Sequence, residues 1–185
     1  MIEDTLLDAM DKMAKAVEHV QGQFTGVRTG RASSGLVEKL PVEYYGSTVP
    51  LQQLATFQVP EARQLLIKPH DRGTLEAIEK SIRDSDLGVS PNNDGISIRI
   101  SLPQLTEERR REYVKVVKHM AEEGRIAVRG ARRDARKAME TAEKDGAISA
   151  DELERAEKEL EKVTHEHVEH IDAALGRKEQ ELLEV

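Results

Sequence analysis

The chain has no cysteine and no tryptophan, and only two Phe and three Tyr among its 185 residues. Without cysteine there is no disulfide framework, no thiol nucleophile and no Cys-based zinc site, which fits a reducing compartment. Phe24, Tyr44, Tyr45, Phe57 and Tyr113 are too few and too scattered to form the stacking rows of a single-strand-binding protein. No apolar run approaches the roughly 18–20 residues that span a bilayer. The chain opens on Met1-Ile2-Glu3-Asp4-Thr5, acidic and at once helical in pattern, unlike a signal or transit peptide. These absences describe a soluble, cytoplasmic protein with no membrane partner.

Proline is present but confined. Pro41, Pro50, Pro60, Pro69, Pro91 and Pro103 are all six of them, and proline breaks helices. On either side the chain reads as long helices. Leu6, Met10, Met13, Val17, Val20, Phe24 and Val27 follow a heptad rhythm through a helix from about Glu3 to Val27. A second helix opens at Thr106-Glu107-Glu108 and closes at Asp145-Gly146, where glycine suits a C-cap. A third opens at Ser149-Ala150-Asp151-Glu152, a capping-box sequence. Leu153, Ala156, Leu160, Val163, His167, Ile171 and Ala174 carry its apolar seam.

Three such helices predict an antiparallel three-helix bundle from residues 1–30 and 105–185. Residues 31–104 are expected to form an inserted small α/β module, so the fold class is α+β with two domains. Its strands are expected at Leu36–Tyr45, Ala55–Val59, Gln64–Lys68 and Gly95–Ser101, the last with Ile96, Ile98 and Ile100 on one side. Its helix is expected from Asp71 to Leu87, ahead of Gly88. The chain leaves the bundle at Gly30 and Arg31 and returns through Pro103, Gln104 and Leu105, two crossings that describe a hinge.

Charge is distributed unevenly. The net charge is −7, yet residues 106–137 carry eleven Lys/Arg against six Asp/Glu. Stepped at about 100° per residue, Arg111, Lys115, Lys118, Arg125, Arg129, Arg132, Arg133 and Arg136 share a stripe roughly 100° wide. Tyr113, Val117, Met120, Val128, Ala131, Ala135, Ala138 and Ala142 form a separate apolar stripe. Glu122 is the one obvious acid within the cationic stripe, so pairing inside that face is poor. An acidic protein with a concentrated row of arginine implies an oriented contact with phosphates rather than indiscriminate polyanion binding.

Catalytic signatures are missing. Gly26-Val27-Arg28-Thr29-Gly30 lacks the strand–loop–helix setting and the G-K-[ST] ending of a phosphate loop. His165, His167 and His170 are close in sequence, but His167 falls in the apolar seam and no further segment offers a third ligand. The expectation is therefore no catalytic residue, no metal and no cofactor. A coiled-coil scaffold, or a metal-dependent enzyme using these histidines, are the competing classes.

Several strings together resemble the ribosome recycling factor family over the whole chain. They are Gly26–Ser33, Tyr44–Leu51, Ser90–Gly95, Ile98–Ile100, Leu105–Arg110, Arg125–Arg129 and Ala131–Ala135. The resemblance implies an L-shaped, monomeric molecule of about tRNA dimensions, with a three-helix bundle and a β/α/β domain swinging on the hinge. It implies binding to large ribosomal subunit RNA in a 70S-type ribosome after termination. It further implies splitting of that ribosome into subunits, and release from mRNA, together with elongation factor G, which hydrolyses the GTP. The RNA-facing residues would then be the cationic stripe, Arg132 foremost, supplemented by Arg28 and Arg31. Gly130 departs from the family pattern, which places a polar residue between the arginines; with Gly124 it is expected to weaken or bend the helix locally.

Overall fold

A computed structural model describes residues 1–27 and 29–184. The chain divides into two compact units, one of Met1–Val27 with Arg111–Val185 and one of Arg28–Arg110.

The first unit is built on three helices, α1 (Ile2–Thr25), α3 (Glu107–Lys144, whose first turn counts with the other unit) and α4 (Ala150–Leu183). Heptad spacing places Met13, Val17, Val20 and Phe24 of α1 in one core with Val117 and Val128 of α3 and Leu160 and Ile171 of α4. Met10, expected inside, is 40% exposed and Ala9 is buried in its place. On α3 the buried face is likewise turned from the expected one: Ala121 and Met139 are inside, while Ala138 is exposed. That rotation brings one edge of the cationic stripe toward α4.

The helix ends follow their local chemistry. The Thr106 hydroxyl accepts from the Arg109 amide at 3.1 Å. At the other end of α3, Gly146 takes φ +75, and the Ala147 amide donates back to the Ala142 carbonyl at 2.8 Å, which ends the helix in a Schellman turn. Ser149 Oγ accepts from the Glu152 amide at 3.1 Å while Glu152 Oε2 accepts from the Ser149 amide at 2.7 Å. Ser149→Ala removes half of this reciprocal cap, and a loss of about 1 kcal/mol is expected in thermal unfolding. A melting curve identical to that of the parent would show the cap to be idle.

The second unit has its own core, with Ile67, Ile78, Ile82, Ile98 and Leu51 buried. Strands β1 (Pro41–Tyr44) and β2 (Ser47–Pro50) form an antiparallel hairpin. Strands β3 (Ala55–Glu61), β4 (Gln64–Pro69), β5 (Pro91–Asn93) and β6 (Ile98–Ser101) form an antiparallel sheet in the order β3-β4-β6-β5. Helix α2 (Leu75–Arg83) connects β4 to β5, after a 3₁₀ turn at Arg72–Thr74 capped by Asp71.

Several expected boundaries move. The strand foreseen over Leu36–Tyr45 is a 3₁₀ turn at Ser34–Leu36 followed by β1. The helix foreseen over Asp71–Leu87 is shorter at both ends. The last strand starts only at Ile98, because Asp94 Oδ1 draws in the amides of Ile96 (2.9 Å) and Ser97 (2.7 Å). These bonds hold the Asp94 carboxyl below the usual carboxylate range. They also put Ser97 inside and leave Ile96 60% exposed, against the expected alternation. Among the described residues no helix is long and apolar enough to cross a membrane.

The residues read as a hinge lie in the second unit. Gly30 has φ +80, and a Cβ there would stand 3.5 Å from Leu105 Cγ. The two crossings therefore run against each other. Thr29, Gly30, Arg31, Leu102, Pro103 and Leu105 line a small cavity between them of about 20 Å³. The Ala32 amide donates to the Ala62 carbonyl (2.7 Å) and the Leu102 amide to the Arg63 carbonyl (2.8 Å), tying both crossings to the β3–β4 turn.

Candidate nucleic-acid interface

The cationic stripe of α3 divides lengthwise. On the edge nearer the core, its cations meet acids from α4. Arg125 Nη2 is 2.6 Å from Asp172 Oδ1 and Arg132 Nη1 is 2.7 Å from Glu161 Oε1. Arg136 Nε lies 3.4 Å from Glu157 Oε1, and Lys118 Nζ 3.8 Å from Glu179 Oε1. As these cations climb α3, their partners descend α4, the register of an antiparallel pair. Poor pairing was expected from α3 alone. The neighbouring helix supplies four acids, and α3 itself adds more pairing than expected, with Glu122 bridging Arg125 (3.0 Å) and Arg129 (3.6 Å) and Glu140 reaching Arg136 (3.0 Å).

The four α4 partners are readable in the sequence after the fact. At about 100° per residue, Glu157, Glu161, Asp172 and Glu179 fall within roughly 60° of one another. Their carboxylates remain 28% to 63% exposed, and exposed pairs of this kind are worth about 0–1 kcal/mol each. The ladder therefore holds the guanidinium groups without locking them.

The other edge of the stripe is open. Lys115 and Arg133 are exposed and, among the described residues, have no ion-pair partner. Arg129 is 49% exposed on its long contact with Glu122. Arg111, further along α3, and Arg31, in the other unit, are each exposed but each engaged in an interaction. Arg28, also expected at the interface, lies outside the described residues.

Arg125 and Arg132 are the most anchored of the row. Arg125 is 18% exposed; burial disfavours its charge, but Asp172 and Glu122 more than offset this, and its pKa is raised. Arg132 is 36% exposed, and its Nε is buried with no acceptor. Beside it, a groove of about 370 Å³ runs between α3 and α4, lined by Arg132, Arg136, Glu157, Lys158 and Glu161.

The glycines of α3 have different reasons. A Cβ on Gly124 would collide with Val20 Cγ2 and stand 3.2 Å from Ile171 Cδ1, so a hydrogen is all that fits where three helices meet. Gly130 has open space around it. The helix runs unbroken through both, so neither interrupts the row of cations.

The histidines assemble no metal centre among the described residues. His167 Nδ1 is 2.7 Å from the Val163 carbonyl. A carbonyl only accepts, so that nitrogen carries the proton and is not a ligand. His165 and His119 instead face Glu169 and Glu123, one helical turn along.

Comparison with known proteins agrees with this architecture over the full chain. Residues 20–183 match the family described as ribosome recycling factor. The ribosome-recycling factor of Acidothermus cellulolyticus is 54% identical over 185 residues, covering all of both chains. That of Cutibacterium acnes is 55% identical over 184 residues, again covering both completely. A solution structure of a ribosome recycling factor superimposes with a TM-score of 0.82 at 43% identity, covering 100% of this chain and 98% of the other. A second similar structure, with a TM-score of 0.71 at 42% identity and full coverage of both chains, is of the T. thermophilus factor. It is described together with E. coli elongation factor G, bound to the E. coli post-termination complex. Long bundle helices, an inserted antiparallel module and this full-length likeness agree: the chain belongs to the ribosome recycling factor family.

Proposed function

We propose that this chain binds the ribosome left after termination and, with elongation factor G and GTP, promotes its separation into subunits and release from mRNA. The chain is not itself an enzyme; GTP hydrolysis belongs to the partner. It acts as a monomer in the cytoplasm. The bundle unit lies on large-subunit RNA, and the unit of residues 31–104 faces the translocase, moving about Gly30, Arg31, Pro103, Gln104 and Leu105.

One observation carries the RNA assignment: a row of cations on α3 in which Lys115 and Arg133 are exposed with no ion-pair partner among the described residues, on a protein of net charge −7. Phosphate contacts made by such a row position the protein on RNA by shape and charge, without reading bases. Arg111, Lys115, Arg129 and Arg133 form the outer contact. Lys118, Arg125, Arg132 and Arg136 lie behind them, and Arg28 and Arg31 supplement the contact.

The test is binding to isolated large ribosomal subunits across a salt series, beside an Arg129→Ala, Arg132→Ala double variant. Binding is expected to fall with salt, and the variant to bind roughly tenfold more weakly with a shallower salt dependence. A parent protein that fails to bind even at low salt would return the bundle to the role of a scaffold.

A further inference from the structure

We propose that Glu157, Glu161 and Asp172 of α4 are specificity-determining residues. They occupy the inner cations of α3 and so suppress binding to RNA that does not fit the whole face. The proposal rests on the RNA-docking role of α3. What it adds is a function for the acidic helix, which charge counting alone would describe as mere repulsion.

Three observations support it. The inner cations meet α4 acids in sequence, Arg125 with Asp172, Arg132 with Glu161 and Arg136 with Glu157, so the pairing is a ladder and not one accidental contact. The acids stay substantially exposed, Glu161 at 63% and Asp172 at 51%, and such pairs exchange readily for another anion. Finally, Arg132 is only half committed. Its Nη1 holds Glu161, its Nε is buried without an acceptor, and the groove beside it is open to an incoming group.

The consequence follows from counterion release. An exposed cation without a carboxylate partner gains from a phosphate by shedding its counterions, whereas a cation already held by a carboxylate has shed them and gains little. The displaced carboxylate is then left close to the phosphate. A generic duplex therefore engages Lys115 and Arg133 freely and Arg129 against its long contact with Glu122 (3.6 Å), but meets a penalty at each inner rung. Only RNA shaped to make many contacts at once overcomes that penalty. The acids thus set a threshold and lower affinity for unfitting RNA more than for the fitting surface.

The experiment compares Glu161→Gln and Asp172→Asn with the parent, in the full chain. Each is titrated with isolated large subunits and with an RNA duplex of unrelated sequence, across a salt series. For the duplex, each variant is expected to bind roughly threefold more tightly, with a log–log salt slope steeper by up to about 0.9. The gain for large subunits should be smaller, so the ratio of the two affinities falls. In an Arg132→Ala background the effect of Glu161→Gln should vanish, because the acid acts through that guanidinium.

Unchanged duplex affinity and slope in both variants, with melting curves intact, would overturn the proposal, and so would weaker binding. An Arg129→Ala, Arg133→Ala variant separates the two levels. If it loses subunit binding while the acid variants change nothing, only the threshold idea fails. If it too binds normally, the docking role of α3 fails with it.

Discussion

Gly124→Leu is expected to destabilise the bundle unit by about 3 kcal/mol or more, lowering its melting temperature by about 12 °C or more. The reason is steric. A Cβ at this position already overlaps Val20 Cγ2 and presses on Ile171 Cδ1, and Leu adds three further carbons where α1, α3 and α4 converge. Close-packed interiors yield little to such insertions. Gly130→Ala, six residues along the same helix, is the internal control. With nothing within 4 Å of its added methyl, it should gain about 1 kcal/mol from helix propensity. Circular dichroism melts of both variants decide the matter. Equal, small effects of the same sign would mean that the core around Gly124 adapts freely.

Removing the open edge of α3 should have the largest effect on binding. A Lys115→Ala, Arg129→Ala, Arg133→Ala variant deletes two cations without an ion-pair partner among the described residues and a third held only by a 3.6 Å contact with Glu122. At about 1 kcal/mol per lost phosphate contact, affinity for the large subunit falls on the order of 100-fold. The salt slope should fall by about 3, one for each contact. Because all three side chains are exposed or half-exposed, the melting temperature should scarcely move. A variant that binds as tightly as the parent, with the same salt slope, would remove α3 from the interface.

The long helices were legible because their signals are local and repeat many times. Seven-residue spacing, the Ser149–Glu152 box and the Asp145-Gly146 stop each act within a few residues of themselves. The short strands were harder. Both β2 and β5 contain proline, which on a sequence reads as a breaker but is tolerated at sheet edges. Ile96 misled because its alternation with Ile98 looked continuous, while the Asp94 carboxylate holds the amides of Ile96 and Ser97 in a turn that ends just before Ile98.

The candidate site was half legible. Its cations share one helix, so a 100° step finds them. Their partners lie on another helix, 29 residues away for Arg132 and 47 for Arg125, and which faces meet depends on a rotation of α3 that its apolar residues specify only loosely. Ala138 and Met139 are adjacent, and both are compatible with a core. Choosing the second turns Arg125 and Arg132 toward α4.

The interrupted path of the bundle through the sequence bears on how the molecule is made. Helix α1 leaves the ribosome first, but its packing partners lie beyond Arg110, roughly 80 residues later. At about 5–20 residues per second, α1 waits about 4–16 s before α3 even begins to appear. The inserted unit, with a core of its own, is complete before the bundle can close. During synthesis the nascent chain thus carries a finished module tethered to an apolar-faced helix without a mate. The basic segment of α3 emerges ahead of the acids of α4, so for a few seconds each newborn molecule exposes its arginines uncovered beside the ribosome that is making it.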